Sequence, residues 1–201
     1  MIFRNHDAIF LHVQKAGGTS MESALCRGLG YDFSGSEWDA NLVFGWHEGV
    51  FTQHCTLHEM IERRYCTRKF AFSAFKFCFV RNPYDRMVSY YTWMMDSPEF
   101  RVHFPLFDYF VANYESASGK MFPEMLPQSA YSIDCDFVGR FERLADDYGV
   151  VCSRLGCVSA LPVLNKSRRE LPTYRDYYSV KSRERVGVLF ASELREYGYE
   201  F

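Results

Sequence analysis

The run Ala8-Ile9-Phe10-Leu11-His12-Val13 breaks into Gln14-Lys15-Ala16-Gly17-Gly18-Thr19-Ser20, and this switch from apolar to glycine-containing sequence limits what the chain can fold into. Ala8, Ile9, Phe10, Leu11 and Val13 form a near-continuous apolar segment, the pattern of a strand covered on both faces. Gly17 and Gly18 permit unusual backbone dihedrals and let main-chain N–H groups come close to a ligand. Thr19 or Ser20 is expected to cap the helix that follows, with Glu22 in its first turn, and the N–H groups at such a helix start favour an anion. Lys15 stands beside this nest. Taken alone, the segment is equally a plain strand-to-helix turn with a solvated lysine, because glycine-rich turns are common.

A second strand-to-helix junction lies in Phe75 to Tyr91, FKFCFVRNPYDRMVSYY. Phe75, Phe77, Cys78, Phe79 and Val80 read as a buried strand ending at Arg81, after which Asn82 caps a helix that has Pro83 at its first position. Open parallel sheets bind ligands at the carboxyl ends of their strands, so an arginine there is more suggestive than one on a helix face. Ser89 falls in the second turn of the helix. The plain alternative is an exposed Arg81 paired with Asp85 and a serine facing solvent.

Helical spacing of Met21, Ala24, Leu25 and Leu29 predicts the helix beneath the first turn, stopped by Gly28 and Gly30. Residues 31–40 read as a loop and 42–46 as a short strand. Thr56-Leu57-His58-Glu59 matches a capping box, which predicts a helix from Leu57 to about Arg64 with His54 in the loop ahead of it. Helices are also expected over 105–114 and 144–155, a strand over 136–141, a loop over 161–173 and a closing helix pair over 180–197. Residues 116–127 read as a loop.

The chain has 201 residues and no Pro/Gly/Ser-rich linker, so a single domain over 1–201 is expected. Its 23 Lys+Arg against 25 Asp+Glu give no basic field, which disfavours nucleic acid as a partner; the local cluster Lys166-Ser167-Arg168-Arg169 is the exception. Fourteen Tyr and 19 Phe predict thick aromatic packing. Seven cysteines without a C-x-x-C pair argue against a disulfide framework, and Cys55, His58 and Cys66 fit no zinc spacing. No segment has the length of a membrane span and no signal-type N-terminus is present, so a cytoplasmic location is expected.

The two junctions together resemble the sulfotransferase family that uses 3′-phosphoadenosine 5′-phosphosulfate, and most closely its carbohydrate sulfotransferase branch. The opening motif P-K-x-G-G/A-T-S corresponds to Gln14 through Ser20, with Gln14 in place of the usual proline, and R-N-P-Y/W-D-R-x-V-S-x-Y is intact as Arg81 to Tyr91. The likeness continues through Gln53-His54-Cys55-Thr56, Gly139-Arg140-Phe141-Glu142, Leu164-Asn165-Lys166-Ser167 and Tyr197-Gly198-Tyr199-Glu200-Phe201. It implies a P-loop-like three-layer α/β fold, a mostly parallel sheet flanked by helices. It also implies a first site for the donor's 5′-phosphosulfate at Lys15, Ala16, Gly17, Gly18, Thr19 and Ser20. A second site, at Arg81 and Ser89, takes the 3′-phosphate, with 3′,5′-adenosine bisphosphate as product. Lys166, Ser167 and Arg168 either complete that second pocket or face the acceptor. The acceptor implied is a hydroxyl, most commonly on a carbohydrate, with a small alcohol or a peptide tyrosine also open.

Sulfuryl transfer needs a cation where the donor's bridging oxygen gains charge and a base for the acceptor proton. Lys15 suits the first task and His54 the second, with His47 ranked behind it. The chemistry requires no metal. Two other classes stay open at this point: a P-loop-type kinase using ATP, and a noncatalytic binder of a nucleotide or acidic glycan. The kinase is the lesser reading because Walker A places its lysine after the last glycine, whereas Lys15 precedes both.

Overall fold

The computed structural model describes residues 1–32, 38–162, 164 and 169–201. In chain order its strands are β1 (Ile2–Phe3), β2 (Ala8–Leu11), β3 (Trp46–His47), β4 (Val50–Phe51), β5 (Phe75–Val80) and β6 (Phe137–Arg140). The helices are α1 (Gly18–Leu29), α2 (Leu57–Glu62), α3 (Arg68–Ser73), α4 (Pro83–Met94), α5 (Pro98–His103), α6 (Phe107–Ala117), α7 (Ser129–Ser132), α8 (Leu144–Leu155), α9 (Val180–Leu189) and α10 (Ala191–Tyr197). The chain divides into two compact units, Met1–Val80 with Gln128–Asn165, and Arg81–Pro127 with Lys166–Phe201. None of the described helices is long and apolar enough to cross a membrane.

The first unit is built on a mixed, mostly parallel sheet of order β1-β2-β5-β6, flanked by helices as the sequence predicts. β2 and β5 pair in parallel, as do β5 and β6, and β1 adds antiparallel to β2. Leu11 lies opposite Cys78, so the chain leaves β2 and β5 at the same edge of the sheet. Alternate residues face opposite sides: Ala8, Phe10, Phe77 and Phe79 join α1 and α8 in one core, while Ile9, Leu11, Cys78 and Val80 are equally buried on the other face. Gly139 in β6 is required by this packing, since a Cβ there would meet the Phe79 ring at 2.4 Å.

Three expectations for this unit change. The first strand ends at Leu11 rather than Val13, although Val13 stays buried. The helix start falls on Gly17, so Thr19 and Ser20 sit inside the first turn and are not its caps. Instead of a strand over 42–46, a turn leads into the β3–β4 hairpin, because Val43 (φ 51°) and Gly45 (φ 103°) interrupt extended backbone. Glu48 and Gly49, both at positive φ, form the hairpin's two-residue turn. The capping box at Thr56 and Glu59 is present, with Thr56 Oγ1 accepting the Glu59 N–H and the Glu59 carboxylate accepting the Thr56 N–H. The helix it starts closes at Glu62. Positions 33–37 of the expected 31–40 loop lie outside the described residues.

The second unit packs α4, α6 and α9 around Met87, Val88, Phe110, Val111 and Val186, walled by Tyr91, Phe100, Phe104, Phe107, Tyr114 and Phe122. This is the dense aromatic packing that the composition predicts. The Arg86 guanidinium is buried here 3.7 Å from the Glu193 carboxylate and donates to the Leu126 carbonyl at 2.8 Å. The helix expected from Pro105 begins at Phe107 instead, and Pro98 takes the N-terminal position of α5 behind the Ser97 cap. The expected closing helix pair is present as α9 and α10.

Candidate functional site

The loop between β2 and α1 holds two residues in the left-handed region, Lys15 at φ 65° and Gly17 at φ 84°. For glycine this costs little, but for lysine it is strain of the kind that persists where the surroundings over-determine it. The two glycines serve different ends. Gly17 supplies the dihedral and lies under Phe141 and Leu144, whose side chains a Cβ would meet at 3.1–3.2 Å. Gly18 lies against the His12 ring, where a Cβ would stand 2.1 Å from Cδ2 and Nε2. Because the N-cap is glycine, no side-chain oxygen of that residue competes for the first N–H groups of α1. Those N–H groups and the positive end of a 12-residue helix suit an anion. Ala16 is buried in the turn, Lys15 and Thr19 are half-buried, and Ser20 is buried. The Ser20 hydroxyl accepts the Leu164 N–H at 3.0 Å, which brings part of the expected 161–173 loop to this helix start.

His54 closes a short 3-10 turn (Thr52–His54) ahead of α2. Its Nδ1 lies 3.1 Å from the main-chain oxygen of His12, and the Tyr131 hydroxyl donates to the His54 carbonyl at 3.0 Å. A carbonyl only accepts, so Nδ1 carries the proton and the neutral ring has its lone pair on Nε2. The His12 and His54 rings meet edge to face with centroids 4.6 Å apart. His47 sits elsewhere, stacked on Trp38 at 4.2 Å with Nδ1 3.2 Å from the Tyr65 hydroxyl. His58 is exposed and pairs with Glu62, while Cys55 and Cys66 are buried.

Arg81, the first residue past β5, is 5% exposed rather than solvated. Its Nε and Nη2 both reach Asp85 Oδ2 at 2.8 Å, and Arg169 reaches Oδ1 of the same carboxylate at 2.5 Å. The salt bridge foreseen as the plain alternative therefore exists, but in a buried setting where it fixes the guanidinium and gathers a second arginine. Asn82 caps α4 by accepting the Tyr84 N–H and holds the C-terminal segment through Glu200 O at 2.7 Å. Ser89 is buried on α4, one turn beyond Asp85. Asn165, Lys166, Ser167 and Arg168 lie outside the described residues, so only Arg169 of the basic cluster is placed.

A family model described as the sulfotransferase family matches residues 1–197. The chain belongs to the sulfotransferase family. No curated protein and no solved structure matched it in the same comparisons. As a sulfotransferase it is a transferase that moves a sulfuryl group, and the match spans both strand-to-helix junctions.

Sequence reasoning about this sulfotransferase missed His12 and Glu22 as polar members of the site. Glu22 is fully buried, its Oε1 2.9 Å from His12 Nδ1 and its Oε2 accepting from Gln53 Nε2 at 2.6 Å. The available signal was a histidine inside an apolar run, followed ten positions later by a carboxylate on a helix whose other residues are mostly apolar or small.

Proposed function

We propose that this sulfotransferase transfers the sulfuryl group of 3′-phosphoadenosine 5′-phosphosulfate to a hydroxyl on a carbohydrate, with His54 as general base. The observation that carries the reading is the fixed tautomer of His54, Nδ1–H on the His12 carbonyl, in the same polar cluster as the ring that packs on Gly18 of the loop between β2 and α1. When bound, the donor supplies an activated sulfuryl group. The loop fits its 5′-phosphate end: a glycine N-cap, strained Lys15, and the N–H groups at the start of α1. Lys15 Nζ neutralises charge developing on the bridging oxygen, and His54 Nε2 takes the acceptor hydroxyl's proton. Arg81 and Ser89 are assigned to the 3′-phosphate, Arg81 because Asp85, held on the Nε and Nη2 side, orients a planar, permanently charged guanidinium, the kind of donor that suits a phosphate.

Incubation with donor carrying labelled sulfate and a panel of glycans, small alcohols and tyrosine peptides tests the reading. Label on a glycan supports it. Label only on an alcohol or a peptide removes the carbohydrate acceptor, and donor binding without transfer to any acceptor favours the noncatalytic binder.

A further inference from the structure

Glu22, His12, His54 and Gln53 form a closed ring of contacts within the first unit. Glu22 stands one turn inside α1, whose start is the loop assigned to the donor. One of its oxygens accepts from the side chain of His12, just past β2, and the other from Gln53, the residue before His54. His54 completes the ring by donating to the His12 carbonyl. A fully buried carboxylate paired with imidazole is a poor stabiliser compared with apolar residues of similar volume, so fold stability alone does not account for it. What the arrangement does achieve is to tie the loop helix, the exit of β2 and the turn bearing His54 to a single carboxylate.

We propose that Glu22 is the positioning residue of this site: it holds His12 and Gln53 so that His54 keeps its proton on Nδ1 and presents Nε2 at a fixed place relative to the loop. The proposal rests on His54 being the base. Outer partners that hold a functional imidazole in metal sites typically change activity by about 10–100-fold when altered, and Glu22 acts on His54 in a comparable indirect way, through His12 and Gln53.

The test uses the full chain with Glu22→Gln, Gln53→Glu and the reciprocal double variant. Each is assayed for affinity toward 3′,5′-adenosine bisphosphate, for single-turnover sulfate transfer, and for the His54 tautomer by ¹⁵N NMR. Glu22→Gln is expected to slow transfer by about tenfold or more, to leave affinity within about twofold, and to mix the His54 tautomers. The double variant should recover most of the rate, because the amide introduced at position 22 can accept from His12 through its oxygen and donate an N–H to the carboxylate introduced at position 53. Unchanged transfer in Glu22→Gln overturns the proposal, as does a double variant that folds and binds but stays slow. His54→Ala, run alongside, separates the two readings. Unimpaired transfer there overturns the base assignment, whereas an unchanged His54 tautomer in Glu22→Gln overturns the positioning role whatever His54→Ala shows.

Discussion

His54 donates its Nδ1–H to the main-chain oxygen of His12 at 3.1 Å, and the side chain of His12 lies on Gly18 at the start of α1. The residue assigned to the acceptor proton and the loop assigned to the donor are therefore joined through one histidine, by its carbonyl on one side and its ring on the other.

This link predicts how substitutions of the two candidate bases differ. His54→Ala should slow single-turnover transfer by about 10²–10⁴-fold with affinity for 3′,5′-adenosine bisphosphate nearly unchanged. His47→Ala, which removes a ring stacked on Trp38, should leave the transfer step close to wild type. The reverse order of effects would exchange the assignments.

Arg81 is expected to govern donor affinity through its planar guanidinium, which Asp85 orients. Arg81→Lys keeps the charge but loses the paired N–H geometry, and should weaken binding of 3′,5′-adenosine bisphosphate by about tenfold or more, roughly 1.4 kcal/mol. Asp85→Asn should act in the same direction, because that carboxylate holds both Arg81 and Arg169. Isothermal titration of the two variants checks this; wild-type affinity in Arg81→Lys would show that the planar guanidinium is not used.

Gly18 admits no side chain while the His12 ring occupies its present place. Gly18→Ala should lower stability by about 1–3 kcal/mol, the range for overpacking a filled site. Adding His12→Ala removes the clashing ring, so the double variant should lose less than the sum of the single losses in denaturant unfolding. Simple additivity would mean that the two residues do not meet.

Asp136 predicts a pH dependence. Burial alone would raise its pKa, but the Lys76 main-chain N–H at 2.7 Å and the Lys76 ammonium at 3.2 Å outweigh it and hold the carboxyl below its ordinary value. A depressed folded-state pKa contributes stability that is present above the unfolded value, about 3.9, and is lost as pH falls through the folded one. Asp136→Asn should therefore destabilise near neutrality, by no more than about 1 kcal/mol because the side chain is half exposed, and the two proteins should converge in acid below about pH 4. Unfolding midpoints measured from neutrality down into acid give the comparison.

Both junctions could be read along the chain because they depend on neighbours in sequence. An apolar run followed by Gly17 and Gly18 specifies strand, turn and helix within a few residues, and Asn82-Pro83 or Thr56 with Glu59 caps its helix through contacts within three positions. The same locality explains where such reading slipped. Which residue of 17–20 becomes the cap turns on a left-handed dihedral at Gly17, where the side chains of Phe141 and Leu144, more than a hundred positions away, leave little room for a Cβ.

The order of apolar and glycine residues by itself determined an α/β chain with two strand-to-helix turns, and Gln14 to Ser20 with Arg81 to Tyr91 carried the resemblance to the sulfotransferases. Tertiary structure alone decided which polar groups act together. Glu22 looks in sequence like an acid in a helix's first turn, and His12 like an interruption of a strand. Their meeting, and the tautomer it helps to set on His54, depend on parallel pairing of β2 with β5 and on the 3-10 turn that returns 42 residues later. Hydrogen bonds of that reach are fixed by packing, because the free energy that holds them comes from burying both faces of the sheet and not from any local preference of the residues they join.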